Sequence, residues 1–492
     1  MPNPRPETPR AAALDALRGI AILAMVLSGL IPGEYNGLRL PPWMYHYQDV
    51  LSGAAGVSWV DLVFPWFLFA MGAAIPIALS NRLARGVRMR RVLLGVLERG
   101  ALLAFFSLYV AHTRLFSLAN NGALSAALLS LMAFVMALLI YARFPETWPP
   151  NRAMAGRIVG WLGAVVLLLT LRQADNSSLL GDSQAARVWL NGCDIIIMVL
   201  ANVYVAGSVI WLLTRRSVVA RLAPLGLLLA LKLSSTVPGE WGSIIWNWSP
   251  APWLYRMEFL KYLFIVVPAT IIGDHIVEWR RRPASEPTGW PVARLWVLAA
   301  ATLLPVPVLL WGTVAREVPL AAALTALLLG MARYAVRQPR TPTERFLHST
   351  LLWGAYWLAI GIVIEPFEGG IKKTPSTLSY YFIPGGLAAV ALVGLTVILD
   401  VLRKRGPLAL LVSNGQNAML AYVGNTNLLA PAVALVNAGL VAAGHWPTGR
   451  RMEHVAHLTG SLWPGVLWAV AQTLLLALVV AWFSKRKVFL RA

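Results

Sequence analysis

The sequence predicts an all-α polytopic membrane protein with about twelve to fourteen transmembrane helices and both termini on the cytoplasmic side. Three observations carry this reading. Residues of the class AVILMFWYC make up 58% of the 492, and charged residues only 13%. A soluble protein carries about 25% charged residues, so this chain cannot cover a water-facing surface of its size. The apolar runs have helix length, near the ~20 residues that cross a ~30 Å hydrocarbon core, whereas outer-membrane strands would be shorter and would alternate. Finally, the basic residues fall in short runs between the apolar segments.

Helices are expected near 13–32, 58–80, 92–112, 123–142, 156–171, 195–213, 222–238, 259–279, 295–313, 319–336, 348–365, 380–402, 413–438 and 462–484. The segments 156–171 and 222–238 are short, which sets twelve as the lower count. With the N-terminus cytoplasmic, 28 of the 42 Lys and Arg fall on that side and 10 on the other. The inner runs include Arg82, Arg85, Arg88, Arg90 and Arg91, then Arg215 and Arg216, Arg280 to Arg282, Arg403 to Arg405, and Lys485 to Lys487. The remaining four, Arg18, Arg99, Lys232 and Lys261, lie in or at the edge of helices. This asymmetry is the positive-inside pattern. It also disposes of a nucleic-acid partner, which the net charge of +21 invites, because no single domain collects the charge. The one cysteine, Cys193, excludes an internal disulfide and a Cys-rich metal site. The first apolar run, Leu14 to Pro32, is too long for a signal-peptide core and has no clear small-residue cleavage site after it. The whole of 1–492 reads as one transmembrane unit, with no internal repeat strong enough to suggest transporter symmetry.

The outer loops are expected at 33–57, 172–194, 239–258, 366–379 and 439–461. Long loops on one face tend to carry binding and chemistry. The first contains His46 within Trp43-Met44-Tyr45-His46-Tyr47-Gln48. Its imidazole is the one side chain that takes or gives a proton near neutral pH unperturbed; an interfacial aromatic belt explains the segment equally simply. Asp61 follows in Ser58-Trp59-Val60-Asp61-Leu62-Val63-Phe64-Pro65. A carboxylate near membrane depth is paired or functional, or else a helix-end acid favoured by the dipole. Asp15 and Arg18, spaced i, i+3, can satisfy each other, or Arg18 can meet a phosphate. Glu98 and Arg99, inside the third helix, need protein or a water-filled cavity to face. Asn247, Trp248, Glu258 and Lys261 put aromatic faces beside polar groups, as a sugar ring or an interfacial belt would use them. Glu365, Lys372 and Lys373 sit at a helix mouth, where they hold a ligand or form a solvated turn. Asn417, Tyr422 and Asn425 bring amides and a hydroxyl into a helix, where they bind substrate or tie helices together. His445, His454 and His457 lack a convincing carboxylate pattern, and no metal site is expected from them.

Taken together, Leu14-Asp15-Ala16-Leu17-Arg18-Gly19-Ile20, the Trp43-to-His46 segment, Val60-Asp61-Leu62-Val63-Phe64-Pro65, Arg99, the Gly369-to-Tyr380 segment and Asn417 with Tyr422-Val423-Gly424 resemble the heparan-α-glucosaminide N-acetyltransferase family. More closely they resemble its bacterial DUF5009 or NagX-like branch. The resemblance is strongest over 1–110 and 360–430, and the family-like core is expected over 13–112 and 348–484, with 113–347 less defined. It implies transfer of an acetyl group from cytosolic acetyl-CoA, as co-substrate and without metal, to a glucosamine-type amine across the membrane. The family's catalytic histidine falls on His46, with Asp61 as its partner. CoA contacts are expected from Arg18, Arg82, Arg85 and Arg99. Two features depart from the family pattern. Gly29, beside Ser28, stands where animal members have an asparagine, and His46 lies farther from Asp61 along the chain.

Two rivals remain at this stage, an amino-sugar transporter and an O-acetyltransferase acting on an envelope glycan. The expected partners are an amino sugar or glycan and membrane lipids, with a homodimer left open and no nucleic acid. The expected location is the bacterial cytoplasmic (inner) membrane.

Overall fold

The computed structural model describes residues 11–491 apart from 35–36, 51–52, 122, 144–148, 174, 176, 182, 282–287 and 443–458. His445, His454, His457 and Arg282 lie outside the described residues. The long helices are α1 Ala12–Leu30, α2 Trp59–Ala84, α3 Met89–Thr113, α4 Ala123–Tyr141, α5 Pro150–Thr170, α6 Ile195–Thr214, α7 Val218–Ser234 and α8 Leu263–Arg280. They continue with α9 in two pieces, Val292–Leu303 and Pro305–Ala315, α10 Val318–Ala335, α11 Pro342–Ile364, α12 Ser379–Val401, α13 Ala418–Gly439 and α14 Trp463–Lys485.

Among the described residues, 13 helices are long and apolar enough to cross a membrane, so the chain is a multi-pass membrane protein. The 17-residue α7 is shorter, yet it also runs the full height. Arg221 in its first turn pairs with Asp274 near the end of α8 at 2.6 Å. Lys232 in its last turn donates to the Ser376 carbonyl, between α11 and α12, at 2.9 Å. At 1.5 Å per residue it spans about 25 Å. With α7 included, α1 begins and α14 ends on one face. Contacts place them there directly. Gln416 donates to Asp15 in the first turn of α1, and the neighbouring Asn417 donates to the Val488 carbonyl, just after α14. We call this the terminal face and its opposite the loop face.

Several element boundaries differ from the sequence expectation, three of them for a local reason that can be named. The helix expected over 413–438 is broken. Leu408–Gln416 ends at Asn417, whose φ of −128° and ψ of 42° leave the helical region, and α13 begins after it. The helix expected over 295–313 is divided at Leu304, ahead of Pro305, which cannot supply an amide to the preceding turn. The helix expected at 222–238 starts earlier, because Ser217 caps it by accepting from the Ala220 amide.

Packing centres on α12, whose spanning window is 89% buried. Between membrane helices, close backbone approach through small residues replaces the hydrophobic drive available in water. The tightest such contact joins α1 to Leu408–Gln416. A Cβ on Gly415 would stand 1.7 Å from the Asp15 carbonyl oxygen, and one on Gly19 would stand 1.9 Å from that of Leu411. Because both obstacles are backbone, neither can yield by a rotamer change. Gly415→Ala should therefore lower stability by about 1–3 kcal/mol, the usual cost of overpacking, seen as a fall in thermal midpoint of the detergent-solubilised protein. A midpoint equal to that of the unsubstituted chain would contradict the contact.

Candidate functional site

The loop-face site is built on the first turn of α2. Ser58 and Asp61 form a capping box, the arrangement in which a serine and an acid three residues on satisfy each other's backbone amides. Ser58 Oγ accepts from the Val60 amide at 3.2 Å, and Asp61 Oδ2 accepts from the Ser58 amide at 3.0 Å. Oδ2 also accepts from the Tyr47 amide at 3.2 Å. This leaves Oδ1, which lies 2.7 Å from His46 Nδ1. Asp61 is 2% exposed while the His46 side chain is 37% exposed. The carboxylate can only accept, so Nδ1 donates to it, and Nε2 stands at the other end of the ring. The longer chain spacing between His46 and Asp61 is thus closed by folding.

The loop carrying His46 is anchored on three sides. Leu40 and Met44 pack with Leu462 and Val466 at the head of α14. Tyr47 Oη donates to the Val314 carbonyl near the end of α9. Gln48 makes the third anchor, on the segment between α11 and α12. Its Oε1 accepts from the amides of Lys373 and Thr374, both at 2.8 Å, and its Nε2 donates to the Thr374 carbonyl at 3.2 Å. From within α12, the Tyr380 hydroxyl donates to the Asp61 carbonyl at 3.1 Å.

That α11–α12 segment is itself held by acids. Glu365 is buried, pairs with Arg316 at 2.7 Å and accepts from the Ile371 amide. Glu368 accepts from the amides of Leu378 and Ser379 and from the Ser379 hydroxyl. Beside it stands a second polar group. Lys232 reaches Ser376, Tyr381 Oη donates to Ser376 Oγ at 2.6 Å, and Tyr262 meets Tyr381 edge-on at 5.8 Å. Lys261 lies 4.0 Å from Glu258 and 5.7 Å from the Tyr262 ring centre. Glu258 and Lys261 therefore share one polar neighbourhood with the α11–α12 segment. Lys372 and Lys373 are half-buried on that segment. Asn247 and Trp248 are exposed, the former bonded within its own short helix and the latter edge-on to Tyr255.

Other expected site residues lie elsewhere. Asn417 is buried on the terminal face, where its side chain donates to the Val488 carbonyl and accepts from the Leu490 amide. Tyr422 donates to Asp194 at 2.7 Å, and Asp194 in turn pairs with Arg114 and caps α6. Asn425 lies in a π-helical turn of α13. Two residues on, the unforeseen Asn427 donates to Thr113 and Ser130. Toward the terminal face, Arg18 reaches Asp15 at 3.4 Å, the Gly415 carbonyl at 3.2 Å and the Ala70 carbonyl at 3.5 Å. Arg99 lies within electrostatic range of Arg18, 4.9 Å above the Tyr204 ring centre. Glu98 and Arg99, expected to face protein or a water-filled cavity, are both exposed on α3, as are Arg82 and Arg85 at the end of α2. No group of three metal-ligating side chains occurs among the described residues.

Gln48, Ser58 and Tyr380 were not singled out by sequence reasoning. Ser58 had a readable signal in its spacing from Asp61. Gln48 and Tyr380 act on partners more than 300 residues away, which no local pattern reports.

Residues 10–276, more than half of the chain, match the family model described as a domain of unknown function, DUF5009. The chain belongs to the DUF5009 family. It is also distantly similar to heparan-alpha-glucosaminide N-acetyltransferase of Homo sapiens, 31% identical over 104 residues, which cover 21% of this chain and 14% of that protein. The same enzyme of Mus musculus is 30% identical over 113 residues, covering 22% and 16% of the two chains. The similarity thus spans well under two thirds of either relative.

Gln48→Ala removes three hydrogen bonds between the His46 loop and the α11–α12 segment. At about 0.5–1.5 kcal/mol net for each, hydrogen exchange over 45–48 and 372–374 should quicken roughly tenfold or more. Unchanged exchange at both segments would show that the loop is held by its other anchors.

Proposed function

We propose that this protein is a transmembrane acetyltransferase that moves an acetyl group from acetyl-CoA to the amine of a glucosamine-type sugar. The observation that carries the reading is the Asp61–His46 pair, in which a buried carboxylate orients a half-exposed imidazole. That is the arrangement a general base or an acyl-accepting nucleophile needs. The partial similarity to a membrane N-acetyltransferase supports the reaction class. The single-unit reading of 1–492 and the inner-membrane location belong to the same proposal.

In this reading the terminal face is cytoplasmic, in keeping with the excess of basic residues on that side. Acetyl-CoA enters there, its phosphates against the exposed Arg82 and Arg85. Arg18 and Arg99 extend the positive charge inward along α1 and α3. Both are costly at membrane depth, so an anionic co-substrate suits them. The thioester is delivered toward His46 and the amino sugar comes from the loop face. Glu258, Lys261, Lys372 and Lys373 surround the acceptor end, with the aromatic faces of Trp248 and Tyr262. Glu365, Asn417 and Tyr422 already serve protein partners, so their part is to hold the bundle in register.

Two routes use the same geometry. In one, His46 Nε2 takes a proton from the amine as its nitrogen attacks the thioester carbon; the C–S bond breaks and the CoA thiolate leaves with that proton. In the other, Nε2 attacks the thioester first, the C–S bond breaks and CoA leaves as its thiolate; the amine then opens the acetyl-imidazole, and the proton it loses balances the one the thiolate takes up. Labelled acetyl trapped on the protein without acceptor distinguishes the second route from the first.

The test is acetyl transfer from labelled acetyl-CoA to glucosamine by the reconstituted protein. His46→Ala should abolish it, while Asp61→Asn should lower the turnover number by roughly 10²–10⁴, the usual range for general-base catalysis. Full activity of His46→Ala would sink the proposal. Label appearing only on hydroxyl sugars would replace N-transfer by O-transfer, and labelled glucosamine crossing unmodified would favour a transporter.

Lys261→Glu reverses a charge at the acceptor end without touching the Asp61–His46 pair. It should raise the acceptor KM several-fold and leave the KM for acetyl-CoA unchanged. An effect confined to acetyl-CoA would move the acceptor elsewhere.

A further inference from the structure

A groove of about 530 Å³ lies between the first piece of α9 and α10, away from everything described above. Its floor is apolar, formed by Val297, Gly330 and Met331, and its mouth holds Arg294 and Arg337. A Cβ on Gly330 would meet nothing within 4 Å, so the floor is open. Gly330 lies seven residues before Arg337, about 10 Å along a helix axis. The mouth is at the terminal-face end of α10 and the floor reaches into the hydrocarbon zone.

Both arginines are ordered before any ligand arrives. Arg294 donates from Nε to the Ala335 carbonyl at 2.7 Å and from Nη2 to the Arg337 carbonyl at 2.8 Å, covering the last carbonyls of α10. Its guanidinium carbon also lies 4.5 Å from the Trp290 ring centre. Arg337 lies 3.8 Å over the Tyr334 ring. Among the described residues neither has an acidic partner within salt-bridge distance. Two fixed positive charges thus stand over an open apolar slot at one membrane interface. Charges already held in place lose little freedom on binding.

We infer that this groove binds one anionic phospholipid, with its phosphate against Arg294 and Arg337 and the first part of an acyl chain against Val297, Gly330 and Met331. A soluble anion leaves the apolar floor uncovered, and a lipid without net charge leaves the arginines uncompensated. Basic pockets between helices on the positive side of a membrane protein select anionic headgroups in this way. The inference does not depend on the proposed acetyl transfer.

Native mass spectrometry of the delipidated full chain, titrated with phosphatidylglycerol or with phosphatidylcholine of the same acyl chains, tests it. The unsubstituted protein should prefer phosphatidylglycerol roughly thirtyfold, from about 1 kcal/mol for each of the two basic residues near the surface. Arg337→Gln should reduce that preference several-fold without weakening phosphatidylcholine, and Gly330→Leu, which fills the floor, should weaken both lipids. Arg337 and Gly330 are chosen because Arg294 also caps α10. Equal binding of the two lipids, or a preference that both variants leave intact, overturns the proposal. Glycerol phosphate competing as well as the whole lipid would reduce the site to a headgroup contact and overturn the acyl part. A change of oligomeric state in Gly330→Leu would assign the groove to a second copy of the chain instead.

Discussion

The loop face depends on how one buried carboxylate is shared. Asp61 sits at the start of a membrane helix with almost no solvent access, where an ion without partners is costly. Its Oδ2 closes the capping box and takes the Tyr47 amide, so helix start and loop are fixed to each other. Its Oδ1 faces the imidazole of His46. The ring's orientation is therefore a by-product of satisfying a helix N-terminus. A substitution at Asp61 would disturb cap, loop and imidazole together, which is why loss of activity in Asp61→Asn has to be weighed beside a measure of folding.

Around that carboxylate the segment between α11 and α12 acts as a strap. Glu365 and Glu368 use their oxygens on Arg316 and on amides of the strap itself. Gln48 then bonds the strap to the His46 loop, and Lys232 bonds it to α7. Four helices far apart in sequence meet on one short stretch of chain. Its acids divide between Arg316 and the backbone amides that shape the strap. This division is invisible in composition, because a free acid and a paired acid have the same letter.

What the sequence disclosed and what it withheld follow from the range of the forces involved. Apolar runs of bilayer length identify helices because the requirement acts on each run alone. The 17-residue α7 falls short of that length, and its start at Val218 follows from a local cap at Ser217. His46 and Asp61 are recognisable as chemically able, yet their meeting depends on how the 14 intervening residues fold against α9, α12 and α14. The break at Asn417 was not legible either. It arises because Asn417 holds the returning chain at Val488 and Leu490, a demand made by residues some 70 positions later. Asn417 and Tyr422 are close in sequence, yet in space one bonds the chain after α14 and the other Asp194.

The packing of the bundle also bears on the choice between moving a solute and moving a group. A transporter of whole sugars needs helices that separate wide enough to pass a ring. Here α12 is buried along nearly its whole length, and α1 meets Leu408–Gln416 at backbone contact through Gly19 and Gly415. Such contacts lose their benefit steeply with small separations, so opening this seam would sacrifice the tightest packing in the protein. A transferase asks for less. It needs room for an extended arm to reach one imidazole, with its anionic end left at the opposite face. Arg18 on α1, bonded to the Gly415 carbonyl across the seam and to the Ala70 carbonyl of α2, ties a third element to the same contact.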